Sequence, residues 1–498
     1  MFATIIPKLF KYETHFQFLM KIMLIQPGLT LDERYGKYLG KVGPMCEPMG
    51  LAYLAAVIRE AKAADVEILD IAAVRISTEE LKKRIIESNP DIVGVSILTP
   101  MYLRAKEIIS LVKETLPKAK IIAGGPHVTV FPEITLEENK NIDFACFGEA
   151  EDTIVELLNA ISEKKHFESI KGIAYRNNGK ITINPAREIK TDIDSIPLPA
   201  RDLLPMAKYT PAPTYFKRLP SYLILASRGC PFKCAYCSKV SGRVYRKHSV
   251  KRIIEEINTL LNDYGAKDII FRDDTFTVDR GHVIELCNEI MRLGLNKRFE
   301  WSCMTRVNLV DRELLKIMKK AGCWSMHYGV ESGNQRLLNL IDKGITLQQV
   351  RDAFKWTREA GIEIKAFFML GLPSETKEES MQTISFSKEI DPDWVQFTIT
   401  VPYPGTKLYE ITKKDKTLKS FQWENYQTWA GWSNKELVYM PEGRNAEELK
   451  ELQKYAMRSF YLRPKFILRQ LKYLGSKDRV KVYINGAMAL ISSMKKSS

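Results

Sequence analysis

The sequence predicts an α/β protein: two successive parallel sheets, each covered by helices, followed by a helical basic tail. Three observations lead there. Strand-like apolar runs alternate with helix-periodic runs over residues 20–190 and again over 216–430. The strands in both series end in glycine or polar residues. A proline-dense stretch, 191–215, parts the two series and reads as a surface linker. Strand–helix alternation implies parallel sheets buried on both faces, and ligands of such sheets gather at the carboxyl ends of the strands.

A chain of 498 residues exceeds one ordinary core and fits two or three domains. Hydrophobic residues make up 45% and charged residues 27%, a balance that excludes a disordered or fibrous chain. Eight cysteines, of which Cys230, Cys234 and Cys237 cluster and the rest scatter, do not form a secreted disulfide framework. They fit a reducing compartment, so a cytoplasmic location is expected. Residues 1–19 show no clear periodicity and are expected to be an extension, with Met20 an alternative start directly before the first strand. No small-residue cleavage site follows a compact apolar core there. No run of eighteen apolar residues occurs, so no spanning helix is expected.

In the first series, strands are predicted at 21–26, 66–70, 91–97, 120–123 and 144–147, with helices at 50–60, 79–88 and 104–115. Ser96, Gly124-Gly125 and Gly148-Glu149 fall at strand ends. In the second series, strands at 222–226, 268–272, 298–304, 325–330, 363–370 and 394–400 alternate with helices at 250–264, 282–293, 312–321, 347–360 and 377–390. Six such strands predict a partial (β/α)6 barrel. The tail, 431–498, has helical spacing over 446–470 broken at Pro464, then a mostly apolar stretch at 480–494. From Arg458 to Ser498 it carries ten Lys/Arg against one Asp, more than half of the +15 formal charge. Such a tail is either a helix packed on the barrel or a basic segment resting on an anionic membrane surface.

The chemistry concentrates in Cys230-Pro231-Phe232-Lys233-Cys234-Ala235-Tyr236-Cys237, a C-x3-C-x2-C run on a loop after the first barrel strand. Three thiolates there can hold three corners of an iron–sulfur cluster and leave one iron open for chemistry. A closed zinc site needs a fourth ligand, and the nearest histidine, His248, lies beyond the loop.

This run resembles the radical S-adenosylmethionine (SAM) superfamily. The resemblance implies a [4Fe–4S] cluster on Cys230, Cys234 and Cys237, SAM chelated at the open iron, and Tyr236 near the adenine. It further implies that Asp274, after the second strand, receives the SAM ammonium. Arg306, after the third, would pair with the SAM carboxylate. Glu331, after the fourth, would accept both ribose hydroxyls.

In the first series, Ser96-Ile97-Leu98 and Gly124-Gly125 are similar to the Ser-x-Leu and Gly-Gly elements of cobalamin-binding domains. With Gly148 and Glu149 they would hold the cobalamin. One departure stands out: no histidine lies between Pro27 and Gly50, where such domains carry Asp-x-His-x-x-Gly, so cobalt is expected without a histidine below it. Of the two histidines in this series, only His127 falls at a strand end.

Together these resemblances imply a cobalamin-dependent radical SAM enzyme. C-methylation of a large apolar substrate, a tetrapyrrole or lipid, is the expected reaction, and an oxidative or ring-forming cyclase is the alternative. A flavodoxin or ferredoxin is the expected electron donor, and no nucleic acid partner is expected. A methylthiotransferase would need a second three-cysteine cluster where this chain has only Cys46 and Cys146. A non-catalytic cobalamin or cluster sensor would not need the full set of strand-end polar residues.

Overall fold

A computed structural model describes residues 20–29, 33, 44–238, 241–433 and 435–471. The apolar stretch expected at 480–494 and the extension at 1–19 lie outside them.

The first sheet holds β1 (Lys21–Gln26), β2 (Asp65–Asp70), β3 (Ile92–Ser96), β4 (Lys120–Gly124), β5 (Phe144–Cys146), β6 (Ile173–Asn177) and β7 (Lys180–Ile183), in the order β2-β1-β3-β4-β5-β6-β7. The first five are parallel, in flavodoxin-like order. Ile22, Met23, Leu24 and Ile25 are all buried, as a strand covered on both faces requires. The sequence reading stops at Glu149, whereas the chain continues into a helix, Glu151–Ser162, and the antiparallel β6–β7 hairpin. Asn178 and Gly179 both take positive φ at its turn, 49° and 79°. This Asn-Gly pair between alternating apolar residues is the signal that would have found the hairpin.

The second sheet holds β8 (Ser221–Ile224), β11 (Asp268–Phe271), β12 (Glu300–Thr305), β13 (Cys323–Glu331), β14 (Glu363–Leu370) and β15 (Trp394–Ile399), all parallel. β15 and β8 are its two edges, so it stays an open partial barrel. Met326, Tyr328 and Val330 of β13 join the core under the surrounding helices, while alternate residues face the interior. Two short strands, β9 (Ser227–Arg228) and β10 (Arg246–Lys247), pair antiparallel and close the base of the cysteine loop.

The free edge of β15 is masked by the chain after it. The Tyr461 hydroxyl accepts from Val395 N–H at 3.1 Å and donates to Val395 C=O at 2.6 Å. Gln453 Nε2 donates to Phe397 C=O at 2.9 Å, and Ile399 N–H donates to Thr428 C=O at 3.1 Å. Gln453 and Tyr461 belong to the helix Ala446–Tyr461, whose Leu449, Leu452, Ala456, Met457 and Phe460 are buried. Pro464 starts a second helix, Pro464–Leu471, as its missing N–H allows. Arg463, Lys465 and Arg469 all pair with Asp391, and Arg458 approaches Glu451. The described part of the basic tail thus spends its charge on the barrel. Lys472 and the cations after it lie outside the described residues.

A buried ionic cluster joins the two sheets. Arg201, in the 3-10 turn Arg201–Leu203, donates to Glu256 Oε1 and Leu223 C=O, each at 2.6 Å, and stands 3.5 Å from Glu47 Oε1. Glu47 precedes the first domain's helix Met49–Glu60 and accepts from Leu223 N–H on β8 at 3.0 Å. Arg201, Glu47 and Glu256 side chains are almost wholly buried. Burial pushes the Glu47 carboxyl up, and the Arg201 charge opposes that push. Removing one partner of a buried pair strands the others. Arg201→Met is therefore expected to lower stability by about 3–5 kcal/mol, read as an earlier midpoint in urea unfolding.

Candidate active site

The residues at the carboxyl ends of the two sheets touch each other. Glu149, just after β5, forms a bidentate pair with Arg246, both contacts at 2.7 Å. Arg228, at the base of the cysteine loop, pairs with Glu151 at 2.7 Å and lies over the Tyr53 ring. After β15, a Cβ at Gly405 would come within 2.9 Å of Val130, which follows β4. Trp423 meets the His127 ring at 5.1 Å. The carboxyl ends of the two sheets, which carry the expected cobalamin residues and the expected cluster residues, therefore lie against each other.

The cysteine loop is held at its centre by backbone bonds. Ala235 N–H donates to Ile341 C=O and Leu408 N–H donates to Ala235 C=O, each at 2.8 Å. Gly229 has φ +82°, and a Cβ there would meet the Val244 carbonyl oxygen at 2.2 Å, so only glycine fits where the loop closes on itself. No group of three or more His, Cys, Asp or Glu among the described residues is arranged to share one metal ion. The three thiols instead have separate neighbours. Cys230 Sγ lies 3.4 Å from Thr275 Oγ1, Cys234 Sγ accepts from Arg306 Nη1 at 3.3 Å, and Cys237 Sγ is 3.7 Å from Ser238 C=O. Three thiols on a pinned loop, one beside a buried guanidinium, suit an anionic cluster that binds each thiolate to its own iron.

The two aspartates after β11 divide. Asp273 turns inward, accepting from Ser227 Oγ and, at 3.4 Å, from Ala226 N–H. Burial pushes its carboxyl up to about 7. Asp274 points to the open side and takes a hydrogen bond from the Gly229 backbone, and the protein around it raises its pKa.

Arg306, buried at the end of β12, stacks over Phe232 with its guanidinium carbon 3.9 Å from the ring centre, and it also reaches Lys343 C=O and Asn308 Oδ1. Glu331 sits at a β13 irregularity with φ 71°. It accepts from Tyr236 Oη at 2.9 Å and from Lys343 Nζ at 2.8 Å, and Lys343 also donates to Tyr236 Oη at 3.0 Å. Burial and the Glu331 charge push the Tyr236 phenol well above its usual range, so it stays a donor. A Cβ on Gly329 would meet Glu331 Oε1 at 2.4 Å, so glycine makes room for this triad. Lys343 escaped the sequence reading, because it lies past the short helix Gln335–Leu340 and no strand end marks it.

In the first domain, Ser96 and Gly124 pair across β3 and β4. Gly125 has φ +97°, and a Cβ there would press on Ile97 and Ser96 Oγ. Leu98 caps the 3-10 turn Thr99–Met101. Gly124 and Gly148 border open space where a Cβ would meet nothing closer than 3.7 Å, a cradle into which a ligand's tail can pass. Glu149, expected beside the cofactor, is given over to Arg246. His127 is fully buried, Nδ1 3.3 Å from Thr99 Oγ1, with its ring enclosed by Tyr102, Phe131 and Trp423.

Comparison with known proteins adds to this geometry. Residues 36–158 match a B12 binding domain and residues 224–387 the radical SAM superfamily. An uncharacterized methyltransferase of Pyrococcus horikoshii is 37% identical over 91% of this chain and 95% of its own. The chain belongs to the B12-binding radical SAM family. As a member it is an enzyme whose cofactors are a [4Fe–4S] cluster, SAM and cobalamin. The anaerobic magnesium-protoporphyrin IX monomethyl ester cyclase of Cereibacter sphaeroides is 30% identical over 82% of this chain and 66% of its own. The solved structure of the radical SAM methyltransferase TsrM from Kitasatospora setae, with cobalamin and a [4Fe–4S] cluster bound, shares the fold. Its TM-score is 0.66 at 20% identity, over 81% of this chain and 79% of that one. Among the described residues no helix is long and apolar enough to cross a membrane.

Two outcomes are expected. Gly229→Ala, by displacing the loop, and Cys230→Ala, by removing a ligand, should each lower the iron bound after anaerobic reconstitution, measured per chain against the unsubstituted protein. His127 protonates near 6.5 in the unfolded chain but, being buried, only near about 4 when folded. Between those values the unfolded chain binds more protons, so stability present above 6.5 is lost as pH falls toward 4, by about 3 kcal/mol. Denaturation midpoints across that window should flatten in His127→Phe.

Proposed function

We propose that this protein is a cobalamin-dependent C-methyltransferase that acts at an unactivated carbon of a large substrate with an extensive apolar surface. One observation carries the reading: residues after β4 and β5 meet residues after β8 and β15, which supports two cofactor sites that face each other across one cleft. When bound, the cluster and SAM supply a carbon-centred radical that removes a hydrogen atom, and cobalamin supplies the methyl group.

The chain's own residues bind and orient. Cys230, Cys234 and Cys237 would hold the cluster. Asp274, open to the cleft, would take the SAM ammonium, and Arg306, beside Cys234, the carboxylate. Glu331 would bind the ribose hydroxyls, releasing the Lys343 ammonium that occupies it in this structure. Tyr236, kept protonated, would lie against the adenine. Ser96, Leu98, Gly124, Gly125 and Gly148 would pass the cobalamin tail. Lys233 and Arg243 are exposed on the cysteine loop, a cationic face suited to an acidic electron donor such as flavodoxin or ferredoxin. Membrane contact, if the enzyme makes it, rests on Lys472 to Ser498, since the described tail cations pair internally.

The 37% identity to a protein named as a methyltransferase favours methyl transfer. The second reading, an oxidative cyclase, is carried by the 30% identity to the cyclase. The deciding experiment is anaerobic incubation of the reconstituted holoenzyme with methyl-labelled SAM, reductant and cell extract. 5′-Deoxyadenosine and a labelled product are expected, both lost in the triple Cys230→Ala, Cys234→Ala, Cys237→Ala variant. 5′-Deoxyadenosine without labelled product would favour the cyclase. Absence of 5′-deoxyadenosine from the loaded, reduced enzyme would overturn both.

A further inference from the structure

The inner face of the second sheet carries a basic layer below the cysteine loop. Met304 pairs with His327 and His327 with Lys365, and Phe271 pairs with Cys303, which brings Arg272 level with them. His327 precedes Glu331 by four residues, about 13 Å along a strand. His327 is 1% exposed and Lys365 3%, whereas Arg272, directly after β11, is exposed.

The three basic side chains surround one ring from the linker, Tyr215. Lys365 Nζ lies 3.4 Å from its centre, the Arg272 guanidinium 5.5 Å, and the His327 ring meets it edge-on at 4.9 Å. The hydrogen-bond partner of Lys365 is the Thr214 hydroxyl at 2.8 Å. Among the described residues, neither ring nitrogen of His327 has a hydrogen-bond partner. The groups acting electrically on His327 are Lys365 and Arg272, and on Lys365 it is Arg272, with no carboxylate among the described residues to offset them.

Burying His327 and Lys365 together without a counter-ion is unfavourable, and a buried donor without an acceptor calls for a partner. The linker cannot supply one. Just past Tyr215 it is fastened to the amino ends of the strands: Lys217 N–H donates to Asp268, and Lys217 and Arg218 pair with Glu300. The ring face of Tyr215, electron-rich but uncharged, is a weak substitute for an anion. An oxyanion accepts from ammonium, guanidinium and imidazole N–H alike, and meets all three needs at once.

We propose that Arg272, His327 and Lys365 form an oxyanion subsite at the floor of the barrel. It holds a carboxylate or phosphoryl group of the substrate, whose apolar part lies against Phe367 and Met369 on the way up to the cysteine loop. The substrate is then an amphiphile that enters anionic end first. The inference rests on the reading of the cleft above as the reaction site.

The test is calorimetric titration of the cluster- and cobalamin-loaded holoenzyme with inorganic phosphate and, separately, with acetate, at fixed ionic strength against chloride. Saturable binding of at least one is expected, weakened roughly tenfold or more in Lys365→Met and in His327→Phe and largely kept in Lys365→Arg. Tighter phosphate identifies a phosphoryl substrate, and tighter acetate a carboxylate. Should Lys365→Met not fold, His327→Phe decides. No saturable binding of either anion, or unchanged affinity in His327→Phe, overturns the subsite. Formation of 5′-deoxyadenosine by the unsubstituted holoenzyme is measured separately, so failure of the reaction reading and failure of the subsite give different results.

Discussion

Everything in the cleft depends on Arg201 being held between Glu47 and Glu256. One guanidinium from the linker bonds a carboxylate from each domain and the backbone of β8. Two sheets joined only by a linker have no reason to present their carboxyl ends to each other. A buried charge that can be satisfied in one arrangement supplies that reason. Such clusters add little net stability compared with apolar packing, and their best-attested use is to specify one geometry. Here the geometry specified is how the carboxyl ends of the two sheets face each other. Arg246 on Glu149 and Arg228 on Glu151 fix the same alignment at the rim.

Within the cleft, like residues take different work from their surroundings. Asp273 and Asp274 are adjacent, yet one ties the end of β11 to the base of the cysteine loop and the other faces solvent. Glu331 has a strained backbone and a cation already in place. Lys343 keeps that carboxylate from being an unpaired buried charge. A ligand that bound Glu331 through its hydroxyls, as proposed, would compete with an internal cation, which would disfavour loose binding of unrelated diols.

Much of this was legible in the sequence, because it is local. Strand periods, the C-x3-C-x2-C loop and the glycines at strand ends are written within a few residues. Gly125 and Gly229 have the positive φ and close backbone contacts that make glycine necessary. What was not legible is long-range. Nothing near Glu149 announces Arg246, 97 residues on. Arg201 reads as an ordinary linker cation until Glu47, 154 residues away, is placed beside it. His327 and Lys365 look like scattered polar residues in two strands, and register alone brings them level. The β6–β7 hairpin is the exception, a local signal that was passed over.

The masking of β15 bears on how the chain is made. Among the described residues, its outward backbone groups find partners in Thr428, Gln453 and Tyr461. A ribosome releases the first sheet with all its strands complete some 250 residues before those partners emerge. β15 itself emerges only about 30 to 60 residues before them, and through that shorter interval the barrel carries a strand edge open to pairing with another chain. The early domain can fold and take up its share of contacts while the late one waits. Production at lower temperature should thus favour soluble protein more than any change to the first domain would.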